Sequence, residues 1–331
     1  MPDSSSASRT ALSLREAAAP ALAGALAGEG LWLDLGALRL RVRSDSAVFA
    51  RQLRQVYPLF ELDTGGGWTD IQVRMVRARG LRRWVAPQVF FEGDGERVFD
   101  PFPGDSPLPH FEWGTNWLVG RRMNHLLLFH AGAVERDGLA LLLPAMPGSG
   151  KSTLTAALSL RGWRLLSDEF GAWDPERGGF VSVLKPVALK NESIDVIEAF
   201  APGAPIGPRF PKTRKGTVAH LAADERAWAG RHAVAAPGAV ILPRWQAGAE
   251  TQLVPLAPED VFPALAFNAF NYGVLGEVAF DAALRLARGC PAWRLVYSRL
   301  DEAVAALERV WSGLGRRGEA AAASVPMRGL A

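Results

Sequence analysis

Ala145-Met146-Pro147-Gly148-Ser149-Gly150-Lys151-Ser152-Thr153 decides the reading of this chain. It spells A-x-x-x-x-G-K-S, a phosphate-binding loop with Ala at the customary first Gly. Gly148 and Gly150 permit a tight turn whose backbone N–H groups can approach an anion. Ser152 then opens a helical pattern, so unpaired N–H groups and the positive end of the helix dipole face the same anion. Lys151 is suited to sit between β- and γ-phosphates, and the Ser152 hydroxyl to ligate Mg2+. An apolar run at residues 139–143 leads in as a strand, and residues 154–160 lead out as a helix. Strand, loop and helix are the context that gives the motif its meaning.

The rest of the chain is an ordinary globular sequence. Of 331 residues, 49% are hydrophobic and 21% charged, enough to bury a sizeable core, and the length suggests two domains or one domain with a large elaboration. The single Cys290 excludes a disulfide framework and fits a reducing compartment. The start, Met1-Pro2-Asp3-Ser4-Ser5-Ser6, lacks a basic signal segment. No apolar run approaches the ~20 residues of a membrane helix, so a cytoplasmic location is expected. A net charge of +3 gives no argument for nucleic acid. Five of the 37 basic residues are Lys, and all five fall in one central stretch: Lys151, Lys185, Lys190, Lys212 and Lys215. A chain that elsewhere uses Arg has kept compact ammonium groups there.

Outward from the loop, alternation and turn chemistry mark the elements. Residues 126–135, the dipeptide Asp137-Gly138 and residues 139–143 form a hairpin signal, so the loop strand should pair antiparallel with the strand before it. Residues 163–169 read as a strand ending in Asp168-Glu169, and residues 170–173 and 180–184 as another hairpin. The sheet is therefore mixed. Residues 1–28 read as a loose leader. Residues 29–108 read as a small α+β domain: a hairpin at 31–43, a helix at 44–57, a strand at 70–76, and short strands at 89–91 and 97–99. A helix entering at Phe111 carries Trp113 and Trp117 as core residues. Residues 201–211 form a Pro-rich irregular loop before the cations Lys212, Arg214 and Lys215. Later come a strand at 240–242, helices at 258–270 and 277–288, a strand at 293–297, a helix begun by the Ser298-x-x-Asp301 capping pattern, and from 313 to 331 a disordered tail.

Candidate chemistry collects around the loop. Asp168 and Glu169 end a strand shortly after the loop helix, where one carboxylate could serve Mg2+ and the other accept a proton; phosphoryl transfer asks for little more than alignment and charge neutralisation. His130, in the strand beside the loop strand, is carried by the hairpin register toward the same end of the sheet. Lys190, Asn191 and Glu192 follow a strand and can ring the site. Lys212, Arg214 and Lys215 can hold an incoming anion.

These residues carry a resemblance. The stretch from His130 to Glu169 is similar to the catalytic core of HPr kinase/phosphorylase, with Arg161-Gly162-Trp163-Arg164-Leu165-Leu166-Ser167-Asp168-Glu169 standing where that family has R-G-H-R-L-[IV]-x-D-D. A fuller likeness, over residues 29–312, is to the HprK-related kinase A group. It rests on Pro109-His110-Phe111-Glu112-Trp113-Gly114, Ser167-Asp168-Glu169, Leu189-Lys190-Asn191-Glu192-Ser193 and Lys212-Thr213-Arg214-Lys215-Gly216-Thr217. The resemblance implies an α/β, mixed-sheet P-loop kinase core of the HPr-kinase/PEP-carboxykinase type at residues 109–312, behind the small N-terminal α+β domain. It implies ATP and Mg2+ held by residues 145–153 with Ser152, Asp168 and Glu169. It further implies transfer to a hydroxyl, with Asp168 as general base positioned by His130 and with Glu169 as indirect Mg2+ support. The signature segment of HPr kinases is replaced here by residues 185–197. The group's association with exosortase and PqqD-like systems makes a PqqD-like protein or a peptide the expected acceptor. A homo-oligomer is compatible with the family. An ATP-binding regulatory module without rapid turnover, or a kinase of a small-molecule hydroxyl, are the competing expectations.

Overall fold

The computed structural model describes residues 12–323. It is a mixed α/β structure with three sheets, two of them mixed and one antiparallel.

The N-terminal part begins with α1 (Ala19–Ala27), β1 (Leu31–Asp34), β2 (Arg39–Ser44), α2 (Ala47–Val56) and β3 (Ile71–Arg77). β4 (Gln88–Gly93), β5 (Phe102–Pro103) and α3 (Pro107–Arg122) complete it. The five strands lie in sequence order in one sheet, and β2 runs parallel to β3 with Leu40 opposite Ile71. A parallel neighbour requires a crossover, and α2 supplies it. The Ser46 hydroxyl caps α2 by accepting from the Phe49 N–H at 3.2 Å. The expected strand at 97–99 does not form: Gly93 and Glu96 make only an isolated bridge around the positive-φ pair Asp94 and Gly95. Of the expected leader, residues 1–11 lie outside the described residues. From Leu14 onward it is packed, with Leu14, Leu22 and Leu26 buried.

The larger part follows as β6 (Leu127–Arg136), β7 (Leu139–Pro144), α4 (Lys151–Leu160), β8 (Arg164–Ser167), β9 (Phe170–Asp174) and β10 (Gly179–Val181). Then come β11 (Val187–Lys190), α5 (Glu192–Phe200), β12 (Phe210–Thr213), β13 (Gly216–Leu221), α6 (Glu225–Ala229) and β14 (Ala236–Trp245). β15 (Gln252–Pro255), α7 (Pro258–Phe267), α8 (Tyr272–Leu275), α9 (Glu277–Gly289), β16 (Ala292–Tyr297) and α10 (Leu300–Ala323) end it. The central sheet runs β10-β9-β6-β7-β14-β16-β15, with β8 beside β6. β7 is antiparallel to β6 and parallel to β14. The β6–β7 turn takes Asp137 and Gly138 at φ 57° and 79°, the two positive values a tight hairpin demands. Pro243 is tolerated in β14 because it lies beyond the stretch paired with β7 and faces only β16 on that side.

β11, β13 and β12 form a small antiparallel sheet, so Lys212 to Lys215 sit at a tight β12–β13 turn and not in an irregular loop. The Ser298 capping pattern is not used: its hydroxyl donates to the Ala249 carbonyl at 2.8 Å, and Asp301 pairs with Arg299. α10 continues to Ala323, past the start of the expected tail, and Trp311 packs on Trp163 at 4.6 Å between ring centres. One buried apolar cluster joins Phe49 and Phe111 of the N-terminal part to Leu154, Leu158 and Trp163 beside the loop helix. Among the described residues, no helix is long and apolar enough to cross a membrane.

Candidate functional site

β7 delivers residues 145–150 to the end of the central sheet, and α4 begins at Lys151. Gly148 and Gly150 take φ 87° and 85°, values an L side chain resists. A Cβ at Gly150 would also strike the Tyr297 hydroxyl, which donates to the Gly150 carbonyl at 3.2 Å. The Trp245 N–H holds the Ser149 carbonyl at 2.9 Å. β14 and β16 thus clamp the loop from outside. α4 takes no side-chain cap, so its first N–H groups remain available at the cavity. α4 approaches the sheet closely because Gly132 of β6 leaves room for the Thr155 hydroxyl.

The carboxylates owe their position to a break between strands. β6 pairs with β9 along residues 127–130 and with β8 along 133–135, and Asp168-Glu169 fills the gap between the two partners. The Ser167 hydroxyl accepts from the N–H groups of Glu169 and Phe170 at 3.3 and 3.1 Å, which turns the chain there. Strand alternation is suspended, so both acids line one cavity.

That cavity has a volume of about 840 Å³. Its floor is the loop, residues 146–153. Its walls bring in His130, Asp168, Glu169, Lys185, Lys190, Glu192 and Lys215, with Trp113 of α3, Trp245 and Phe270 at its edges. A smaller cavity of about 330 Å³ between β2 and β3 is lined by Arg43, Arg74, Arg77 and Arg79, with Asp45 pairing Arg77.

Inside the main cavity the acids differ. Asp168 is buried; its Oδ2 accepts from the Ala188 N–H at 3.2 Å, and its Oδ1 has no hydrogen-bond partner. Burial pushes its carboxyl above the usual range, against the pull of Lys151 and with Glu169 adding to the rise; the Ser152 hydroxyl opposes it further. The Lys151 ammonium donates to the Asp168 carbonyl. Burial also works against the charge on Glu169, yet Lys151, His130 and Lys190 outweigh it and hold that carboxyl below the usual range. His130 Nε2 lies 3.5 Å from Glu169 Oε1 and its ring packs on Phe270. Burial and then Lys151 lower the imidazole's pKa, against the pull of Glu169. His130 therefore attends Glu169, not Asp168, which corrects the expected partnership: the β6–β9 register sets His130 opposite Phe170, next to Glu169.

Other expected residues separate. Lys190, Glu192 and Lys215 line the cavity. Asn191 instead braces the turn, its Oδ1 accepting from the Thr217 N–H at 3.0 Å. Lys212 and Arg214 point away, paired with Asp105 and Asp100 at 2.9 and 3.0 Å. Ala145 is buried at the root of the loop, where its N–H donates to the His130 carbonyl. Sequence reasoning missed Trp113, taken as core, and the role of Lys185. The Lys185 ammonium is spent on Glu112, 3.0 Å from Oε2, while Glu112 Oε1 accepts from the Tyr57 hydroxyl at 2.6 Å. This buried chain ties the end of α2 to the cavity wall through α3.

Among the described residues no three His, Cys, Asp or Glu side chains form a metal cluster. A hard cation beside bound phosphates needs only one or two protein oxygens, and Ser152 with the unpartnered Asp168 Oδ1 suits that demand. No protein-family model matches this chain, and no curated protein matches it.

Proposed function

We propose that the chain is an ATP-dependent kinase of the HPr-kinase-like, P-loop class, transferring the γ-phosphate to a hydroxyl, Ser first among candidates, on a small protein or peptide such as a PqqD-like protein. The observation that carries this reading is the convergence, in one cavity, of the glycine loop, Lys151, Ser152 and two carboxylates of unlike charge tendency.

The chemistry follows from the residues. The loop N–H groups and Lys151 bind and orient the phosphates. Ser152 and Asp168 would hold Mg2+. The ion's contribution when bound is to neutralise phosphate charge. Glu169 accepts the acceptor's hydroxyl proton as that oxygen bonds to the γ-phosphorus. The bond from the γ-phosphorus to the β–γ bridging oxygen breaks, and ADP keeps its electron pair. His130 positions the Glu169 carboxylate. These roles exchange the ones implied by the resemblance. Asp168 is buried beside Ser152 with an unpartnered Oδ1, whereas Glu169 is the more exposed of the two at the cavity and has His130 against it.

The test is transfer of labelled phosphate from γ-labelled ATP to purified PqqD-like proteins and Ser peptides. A phosphoester should form with the wild type and not with Lys151→Ala. ATP binding without transfer to any hydroxyl would favour the regulatory-module reading instead.

A further inference from the structure

Four of the five lysines in the chain line the main cavity, and among the described residues no arginine does. Lys151 serves the loop and Lys185 is neutralised by Glu112. Lys190 and Lys215 remain, and neither has a carboxylate within ion-pair distance among the described residues, although Glu192 lines the same cavity. The two ammonium groups repel one another: burial first, then Lys190, makes Lys215 harder to charge. They are nevertheless held together. Lys190 ends β11 opposite Val218, and the β12–β13 turn brings Lys215 beside it. Asn191 takes φ 51° with ψ -127°, outside the left-handed region that Asn readily adopts, and its side chain bonds the Thr217 N–H and the Lys215 carbonyl. Gly216, at φ 81°, has no room for a Cβ against Asn191. The Lys215 ammonium stands 5.1 Å over the Trp113 ring. A fold that strains its backbone to keep two like charges side by side, neither in an ion pair among the described residues, is arranged for an anion between them.

The pair lies on the Glu169 side of the cavity. Both ammonium groups act on His130, and each interacts with Glu169, whereas the charges acting most on Asp168 are Lys151 and Glu169. We propose that Lys190 and Lys215, backed by Trp113, form a second anion subsite that binds a carboxylate carried by the phosphoryl acceptor close to its reacting hydroxyl. This rests on the kinase reading and narrows its acceptor to a hydroxyl with an acidic neighbour. The carboxylate can belong to a free hydroxy acid or to an acidic residue next to Ser in a polypeptide. The cavity, at about 840 Å³, lies toward the upper end of the usual range for ligand sites and can admit more than a nucleotide.

Two measurements separate this proposal from the reading beneath it. The first compares phosphoryl transfer to matched acceptors: Ac-Ser-Glu-NH2 against Ac-Ser-Gln-NH2, and L-serine against L-serinamide. The acidic member should show about tenfold or greater kcat/KM, equivalent to roughly 1.4 kcal/mol, in at least one pair. The pair showing it identifies the source as polypeptide or small molecule. Lys190→Met/Lys215→Met should erase the preference and leave ATP affinity unchanged. The second titrates L-glycerate and Ac-Ser-Glu-NH2 by calorimetry into protein saturated with a non-hydrolysable ATP analogue. Binding by the wild type and its loss in the double variant supports the subsite even where no transfer occurs, in which case only the kinase reading fails. No acidic preference, a preference that survives in the double variant, or a matching loss of ATP affinity overturns the subsite while leaving the kinase reading in place.

Discussion

The floor of the cavity and its lysine wall are built in opposite ways. The floor is one continuous stretch, residues 145–153, whose geometry is set by two glycines and a helix start. The wall is assembled from α3, the end of β11 and the β12–β13 turn, segments separated by dozens of residues, and its charges are placed by tertiary packing. A continuous site announces itself in sequence because spacing and conformation are the same information. An assembled site leaves only a bias of composition, here five lysines gathered in an arginine-rich chain.

The comparison can be sharpened by mutation, and the largest effect belongs where floor and wall meet. Glu169→Gln should lower phosphoryl transfer by roughly 10²–10⁴-fold with ATP binding retained, as for a lost general base. Asp168→Asn should chiefly raise the Mg2+ concentration needed for half-maximal activity. The reverse pattern would restore the roles implied by the family resemblance.

Next comes the tie between wall and N-terminal sheet. Glu112→Ala leaves Lys185 buried without its counter-charge and Tyr57 without its acceptor, and should cost about 3–5 kcal/mol in chemical denaturation. Glu112→Ala with Lys185→Met should recover part of that loss. Equal destabilisation by the single and double variants would show that the ion pair is not the tie.

A similar magnitude attaches to pH. His110 and His220 are buried, and burial lowers both pKa values to about 4. Their folded-state values lie below the unfolded value near 6.5, so the unfolded chain binds more protons between the two. The stability they contribute is present above pH 6.5 and is lost as pH falls toward 4, roughly 3 kcal/mol for each. His220→Leu should flatten that slope; a slope unchanged in this variant and in His110→Phe would assign acid sensitivity elsewhere.

The smallest effect is expected at the exposed pairs Lys212–Asp105 and Arg214–Asp100. Neutralising both cations should change stability by less than about 1 kcal/mol and leave acceptor KM alone, whereas Lys215→Met should raise it. Equal effects at all three positions would dissolve the distinction between wall and surface.

What could be read from the sequence was what is local. The loop, the Asp137-Gly138 hairpin and the amphipathic helix at 47–56 are each specified within a dozen residues. The parallel β2–β3 pairing, the switch of β6 from β9 to β8 and the meeting of His130 with Glu169 depend on register between distant strands, which no short pattern encodes. The missing strand at 97–99 shows the same limit from the other side: β-forming residues follow a good turn, yet the pairing stops at the single Gly93–Glu96 bridge, and β4 takes β5 as its neighbour at Gln88 and Val89 instead. At Ser298 the capping pattern was present and its hydroxyl was drawn to Ala249 instead.

The central claim is that the loop and Lys151 bind the phosphates of ATP. Calorimetric titration of Mg2+-ATP into the wild type and into Lys151→Ala, with circular dichroism to establish that both are folded, tests it most directly. Saturable binding by the wild type and at least about tenfold weaker binding by the variant, a loss of roughly 1.4 kcal/mol, are expected. A folded wild type that binds no nucleotide, or a variant that binds as well as the wild type, would contradict it.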